Sequence, residues 1–108
     1  KYMPEPERPF PFSRIIYIGD GETDIPAMKM VNYQGGYSIA VYDPNKPKTR
    51  TRPSAKAISL ELLKHRRARF ISPADYSENS DLEKLVLNIL SDIHYKYQLE
   101  KHNRKYEG

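Results

Sequence analysis

The stretch Ile15-Ile16-Tyr17-Ile18 is apolar without alternation and halts at Gly19. An alternating strand keeps one face in water. A continuous β-branched run is instead buried on both faces, the habit of parallel sheets covered by helices. Parallel neighbours cannot be joined by a tight hairpin and need a crossover, usually a helix. This short run therefore constrains how the segment after it must fold.

That segment agrees. Gly19-Asp20-Gly21-Glu22-Thr23-Asp24 reads as a turn. A helix follows in which Thr23 or Asp24 is placed to cap and Pro26 suits the first turn. Ile25, Met28 and Val31 fall on one helical face, and Gly35-Gly36 ends it. Tyr37 to Tyr42 forms a second strand closed by Asp43-Pro44, and residues 45–53 form a basic loop containing prolines. A second helix is expected from about Ser54 to His65 with Ile58 and Leu62 inward, then a third strand, Phe70-Ile71-Ser72, ended by Pro73. Ser80 and Glu83 make a capping box. Behind it Leu82, Leu85, Val86, Ile89, Leu90, Ile93 and Tyr97 hold a helical stripe. The polar tail is expected to fray from about His102.

The expected fold class is thus α/β, with about three parallel strands alternating with helices. Residues 1–13, with four prolines, read as a lead-in loop, 14–101 as βαβαβα, and 102–108 as a polar tail. At 108 residues the chain holds one domain at most and is expected to be part of one. Its apolar content of 38% is lean for an independent core. It has no cysteine, which excludes disulfide scaffolds and thiolate metal sites and fits a reducing compartment. No apolar run approaches the roughly 20 residues of a membrane helix. A soluble, cytoplasmic protein without membrane partners is expected.

In open parallel sheets, ligands bind beyond the carboxyl ends of the strands. Asp20 stands at such an end, between two glycines that let a cation or phosphate approach the backbone. Magnesium takes oxygen ligands, often one or two carboxylates completed by water and substrate phosphate. Asp20 and Asp24, four apart across a turn, suit that chemistry. Spacing alone leaves a second reading open, in which Asp20 ends a strand and Asp24 caps a helix. An EF-hand is excluded, because its sixth and twelfth positions would be Ile25 and Val31. The phosphate-loop and dinucleotide fingerprints are absent.

From Ile15 to Met28 the chain resembles the fourth motif, in its GDGxTD form, of the haloacid dehalogenase-like hydrolases. The likeness continues through Gly35 to Tyr42 and resumes from Ile71 to Tyr76, so it covers most of residues 9–97. The resemblance implies a Rossmann-like core and a magnesium-dependent phosphohydrolase that works through an aspartyl-phosphate on a phosphorylated small molecule. Asp20 would hold magnesium, and Asp24 would support the ion directly or through water. The family's nucleophile lies in a DxD motif on an earlier strand, and this chain contains no DxD. Lys1 is the sole lysine before Asp20 and so the one candidate for the family's upstream lysine. The resemblance therefore implies a C-terminal part of the core with no catalytic residue of its own, inactive alone. It would pair with the rest of that core or self-associate through Ile15 to Ile18.

A different class of function rests on charge. The chain carries a net +4, and Lys46 to Arg69 holds nine basic residues against one acid, Glu61. That asymmetry would suit a nucleic-acid-binding or protein-interaction module, although no nucleic-acid fold signature accompanies it. His65, His94 and His102 lack metal-ligand spacing with one another. Tyr95, Tyr97 and Tyr106 are expected to serve helix packing.

Overall fold

A computed structural model describes residues 12–107, with Phe12 described by its backbone. The lead-in loop to residue 11, Lys1 and Gly108 lie outside the described residues. A 3₁₀ turn, Phe12–Arg14, leads to strand β1, Ile16–Gly19. A second 3₁₀ turn, Glu22–Asp24, precedes helix α1, Ile25–Tyr33. Strand β2 is Tyr37–Tyr42, helix α2 Ala55–Lys64, strand β3 Phe70–Pro73 and helix α3 Asp81–Arg104. The chain divides into two compact units at Asp75 and Tyr76.

The first unit is α/β. Its sheet is parallel throughout in the order β1-β2-β3, with Ile18 opposite Ile39 and Ala40 opposite Ile71. Met28 of α1, Ala40 of β2 and Leu62 of α2 meet in one buried cluster with Ala68, flanked by Ile25 and Ile71. Both crossover helices therefore cover the same face, as two successive right-handed crossovers in one direction require. Alternation sends Tyr37, Ile39 and Val41 to the other face, and they are buried as well. Burial on both faces is thus realised in β2. In β1 it is not, since Ile16 and Tyr17 are half-buried and Ile18 is 39% exposed. The reason is position: β2 has a strand on each side, whereas β1 is an edge of the sheet among the described residues.

Both crossover helices end by the same device. Gly36 N–H donates to Val31 carbonyl at 2.8 Å, and Arg67 N–H donates to Leu62 carbonyl at 2.8 Å. Each closure needs a left-handed residue, supplied by Gly35 at φ 84° and by Arg66 at φ 58°. At the amino ends of the strands a polar network ties α1, β2 and the α2–β3 connection together. The fully buried Ser38 hydroxyl donates to Asn32 Oδ1 and accepts Arg69 N–H at 2.9 Å. Asn32 Nδ2 donates to Arg67 carbonyl, and the Arg69 guanidinium donates to Gly36 carbonyl while lying over the Tyr37 ring.

The second unit is dominated by α3. Ser80 Oγ accepts Glu83 N–H at 3.2 Å, as the capping box requires, but Glu83 reaches back to Asn79 N–H rather than to Ser80. Leu82 and Ile89 are buried, Leu85, Val86, Ile93 and Tyr97 are half-buried, and Leu90 is 49% exposed. The helix also outlasts the expected fraying point at His102 and runs to Arg104. Lys101, His102 and Arg104 in the last turn suit the negative end of the helix dipole, and Arg104 pairs with Glu100. No described helix is long and apolar enough to cross a membrane.

The Ser38 network yields a stability prediction. Removing its hydroxyl takes the acceptor from the part-buried Arg69 N–H and the donor from Asn32 Oδ1, a loss of about 1–3 kcal/mol. Ser38→Ala should lower the urea midpoint accordingly without changing the slope of the transition.

Candidate functional site

The sheet presents its carboxyl ends at Gly19, Tyr42 and Pro73, and a cleft of about 300 Å³ opens there. Its apolar floor includes Ala40, Ile58 and Leu62. Its rim is charged, with Asp20 and Glu22 from the turn after β1 and Asp43, Lys46 and Arg52 from the loop after β2. A side chain built at Gly21 would meet nothing within 4 Å, so the turn's backbone faces open space.

The structure gives Asp20 and Asp24 different positions. Asp20 is exposed and lines the cleft, and its carboxylate makes no hydrogen bond or ion pair among the described residues. Asp24 does not line the cleft. It occupies the N-cap position of α1, yet its side chain caps nothing in that helix. Its Oδ1 accepts the Tyr17 hydroxyl at 2.7 Å, and its Oδ2 accepts Asp20 N–H at 3.0 Å. Asp24 N–H donates to Gly21 carbonyl at 3.1 Å, which closes the turn from the other side. Asp24 therefore braces the loop that carries Asp20.

That brace needs Gly19. A Cβ there would lie 2.7 Å from Asp24 Cβ and 2.8 Å from its Cγ and Oδ2, closer than real contacts allow. The role of the glycine before Asp20 is to let the Asp24 side chain lie against the backbone. Tyr17 responds to the same contact. Its hydroxyl pKa is raised above the usual 10.0, first because it donates a hydrogen bond to Asp24, then through desolvation and the negative charges of Asp24 and Asp20.

Among the described residues no group of three or more His, Asp or Glu side chains is arranged to hold a metal. One unpartnered carboxylate at a strand end is the donor set that magnesium uses when water and substrate oxygens complete its shell. Asp20 is placed to serve as such a donor, whereas Asp24, expected from its spacing to face the same ion, lies outside the cleft with its two oxygens accepting hydrogen bonds from Tyr17 and Asp20. Two features of the rim do not follow from the sequence reading: the place of Asp43, and the pairing of Glu22 with Arg52 of the basic segment. Asp43 follows β2 as Asp20 follows β1, so the strand-end rule applied to both strands would have found it. Glu22 and Arg52, thirty positions apart in sequence, form an ion pair at 3.0 Å, which no local pattern signals. No protein-family model, curated protein or solved structure matches this chain.

Two outcomes are expected. Gly19→Ala should destabilise the fold by about 1–3 kcal/mol, the usual cost of overpacking, and Gly21→Ala should leave the thermal midpoint nearly unchanged. The Tyr17–Asp24 bond is made by the neutral phenol. Its contribution is complete below the unfolded tyrosine pKa near 10 and is lost as pH rises through the higher folded value. Urea titrations should show a constant difference between wild type and Tyr17→Phe from neutral pH to about 9, shrinking above about 10.

Proposed function

We propose that this chain forms the magnesium-holding part of a phosphohydrolase core of the haloacid dehalogenase type, acting on a phosphorylated small molecule. One observation carries the reading. The Asp20 carboxylate is unpartnered among the described residues at the carboxyl end of a parallel strand, on a braced turn, facing a cleft. A magnesium ion held there would neutralise charge on a phosphoryl group, and such reactions proceed mainly by positioning and charge neutralisation.

In this reading the phosphoryl group passes to an aspartate that these residues do not provide, since the chain contains no Asp-x-Asp pair. That aspartate would come from a strand laid along β1, the sheet edge next to Asp20. The 108-residue chain alone is then expected to bind magnesium weakly and to release no phosphate from an aryl phosphate.

The distribution of basic residues favours this reading over a nucleic-acid module. Lys46 and Arg52 lie at the carboxyl end of the sheet, whereas Arg66, Arg67 and Arg69 precede β3 at its amino end. The segment that is continuous in sequence is divided between two ends of the unit.

Magnesium titration followed by backbone amide shifts tests the proposal. Resonances from Asp20 to Asp24 should move in the wild type, and Asp20→Asn should abolish the response. Asp24→Asn should weaken binding by about tenfold, as loss of a supporting residue does, and should also lower stability. A magnesium response that survives Asp20→Asn, or one centred elsewhere, would overturn the assignment.

A further inference from the structure

The loop between β2 and α2 is tied down. Lys46 N–H donates to Asp43 carbonyl at 3.2 Å, Thr49 N–H to Arg52 carbonyl at 2.8 Å and Ala55 N–H to Lys46 carbonyl at 3.1 Å. Ser54 then caps α2 by accepting Ala57 N–H. These bonds fold the loop back on itself and hold Lys46, Thr49 and Arg52 on the rim of the cleft across from Asp20. A group held this way loses little freedom on binding a ligand, which favours affinity.

Arg52 already has an anion. Its Nη2 donates to Glu22 Oε1 at 3.0 Å, and both side chains are more than half exposed, at 63% and 58%. Pairs so exposed to water contribute about 0–1 kcal/mol, so this one is readily exchanged. A phosphate dianion offers a guanidinium more charge and a bidentate geometry that a single carboxylate oxygen does not.

We propose that Lys46 and Arg52 form an anion grip for the phosphate of the substrate, and that Glu22 is an internal competitor that holds Arg52 until the phosphate displaces it. This rests on the reading of the cleft as a phosphoryl site and adds the specificity-determining residues of its far wall. Phosphate then sits between a metal-bearing carboxylate on one side and two cations on the other. The Glu22–Arg52 pair sets the threshold for anion binding, so a neutral ligand of the same size gains nothing by opening it.

The test uses the full 108-residue chain with inorganic phosphate as the probe, read by amide shifts, first without metal and then with magnesium. Phosphate should move resonances between Asp43 and Ala55. Arg52→Ala and Lys46→Ala should each weaken its affinity severalfold, and Glu22→Gln should tighten it severalfold, a gain that misfolding cannot produce. In the Arg52→Ala background Glu22→Gln should have no effect, because its benefit passes through Arg52. An equal gain in both backgrounds would mean that Glu22 acts by general repulsion, and the competitor role would fall. Phosphate shifts centred on Arg66 to Arg69, or an affinity unchanged by Arg52→Ala, would overturn the grip. Phosphate binding at the loop with no magnesium response at Asp20 would sustain the grip and reject the metal reading. A magnesium response with no phosphate shifts at the loop would do the reverse.

Discussion

The carboxylate of Asp24 lies against Gly19 and joins two parts of the chain that would otherwise be independent. One oxygen takes the Tyr17 hydroxyl from the body of β1, and the other takes the backbone N–H of Asp20 just beyond it. A strand end is ordinarily where backbone order is lost, because the ladder stops supplying partners. Here a side chain takes over where the ladder stops, so the turn leaves the sheet in a fixed direction and α1 begins from a defined point. The position of the cleft follows from this, since Asp20 and Glu22 form one wall of it.

The opposite wall is built by different means. The loop after β2 uses backbone hydrogen bonds to itself, and its link to the first wall is a solvent-exposed ion pair. One side of the cleft is thus held by short-range hydrogen bonds to a single carboxylate, one of them part-buried, while the other is joined across the mouth by a contact that water and salt weaken. The two walls also differ in sign, acidic near β1 with Asp20 and Glu22, and mixed beyond β2, where Lys46 and Arg52 outnumber Asp43. Such a divided rim suits a ligand that carries its own anionic charge together with a cation.

Much of the architecture could be read from local patterns. The largely apolar run from Tyr37 to Tyr42, the helix start near Ser54 and the Ser80–Glu83 box each act within a few residues, and the strands and helices form where those patterns place them. The site was legible in part. Asp20 follows from the strand-end rule, but the direction of the Asp24 side chain does not. An aspartate before a helix ordinarily turns forward to cap it, and this one turns back because Tyr17, seven positions earlier, offers a hydroxyl and Gly19 offers room. Burial of β1 was misjudged for a related reason. The composition of a strand records how apolar it is, not whether it has a neighbour on each side.

The two edges of the sheet are chemically unequal. Ala74 N–H turns inward to Tyr42 carbonyl at 2.7 Å, so by alternation the residue before it faces outward, and that residue is Pro73, which has no N–H to offer. A strand arriving beside β3 would find a gap in the row of donors at the end nearest the cleft. Along β1, from Ile16 to Gly19, every residue carries its N–H. Proline on an outer strand is a known means of blocking edge-to-edge growth. Among the described residues the sheet therefore has unequal edges, with a full row of donors at β1 and a gap in the row at β3.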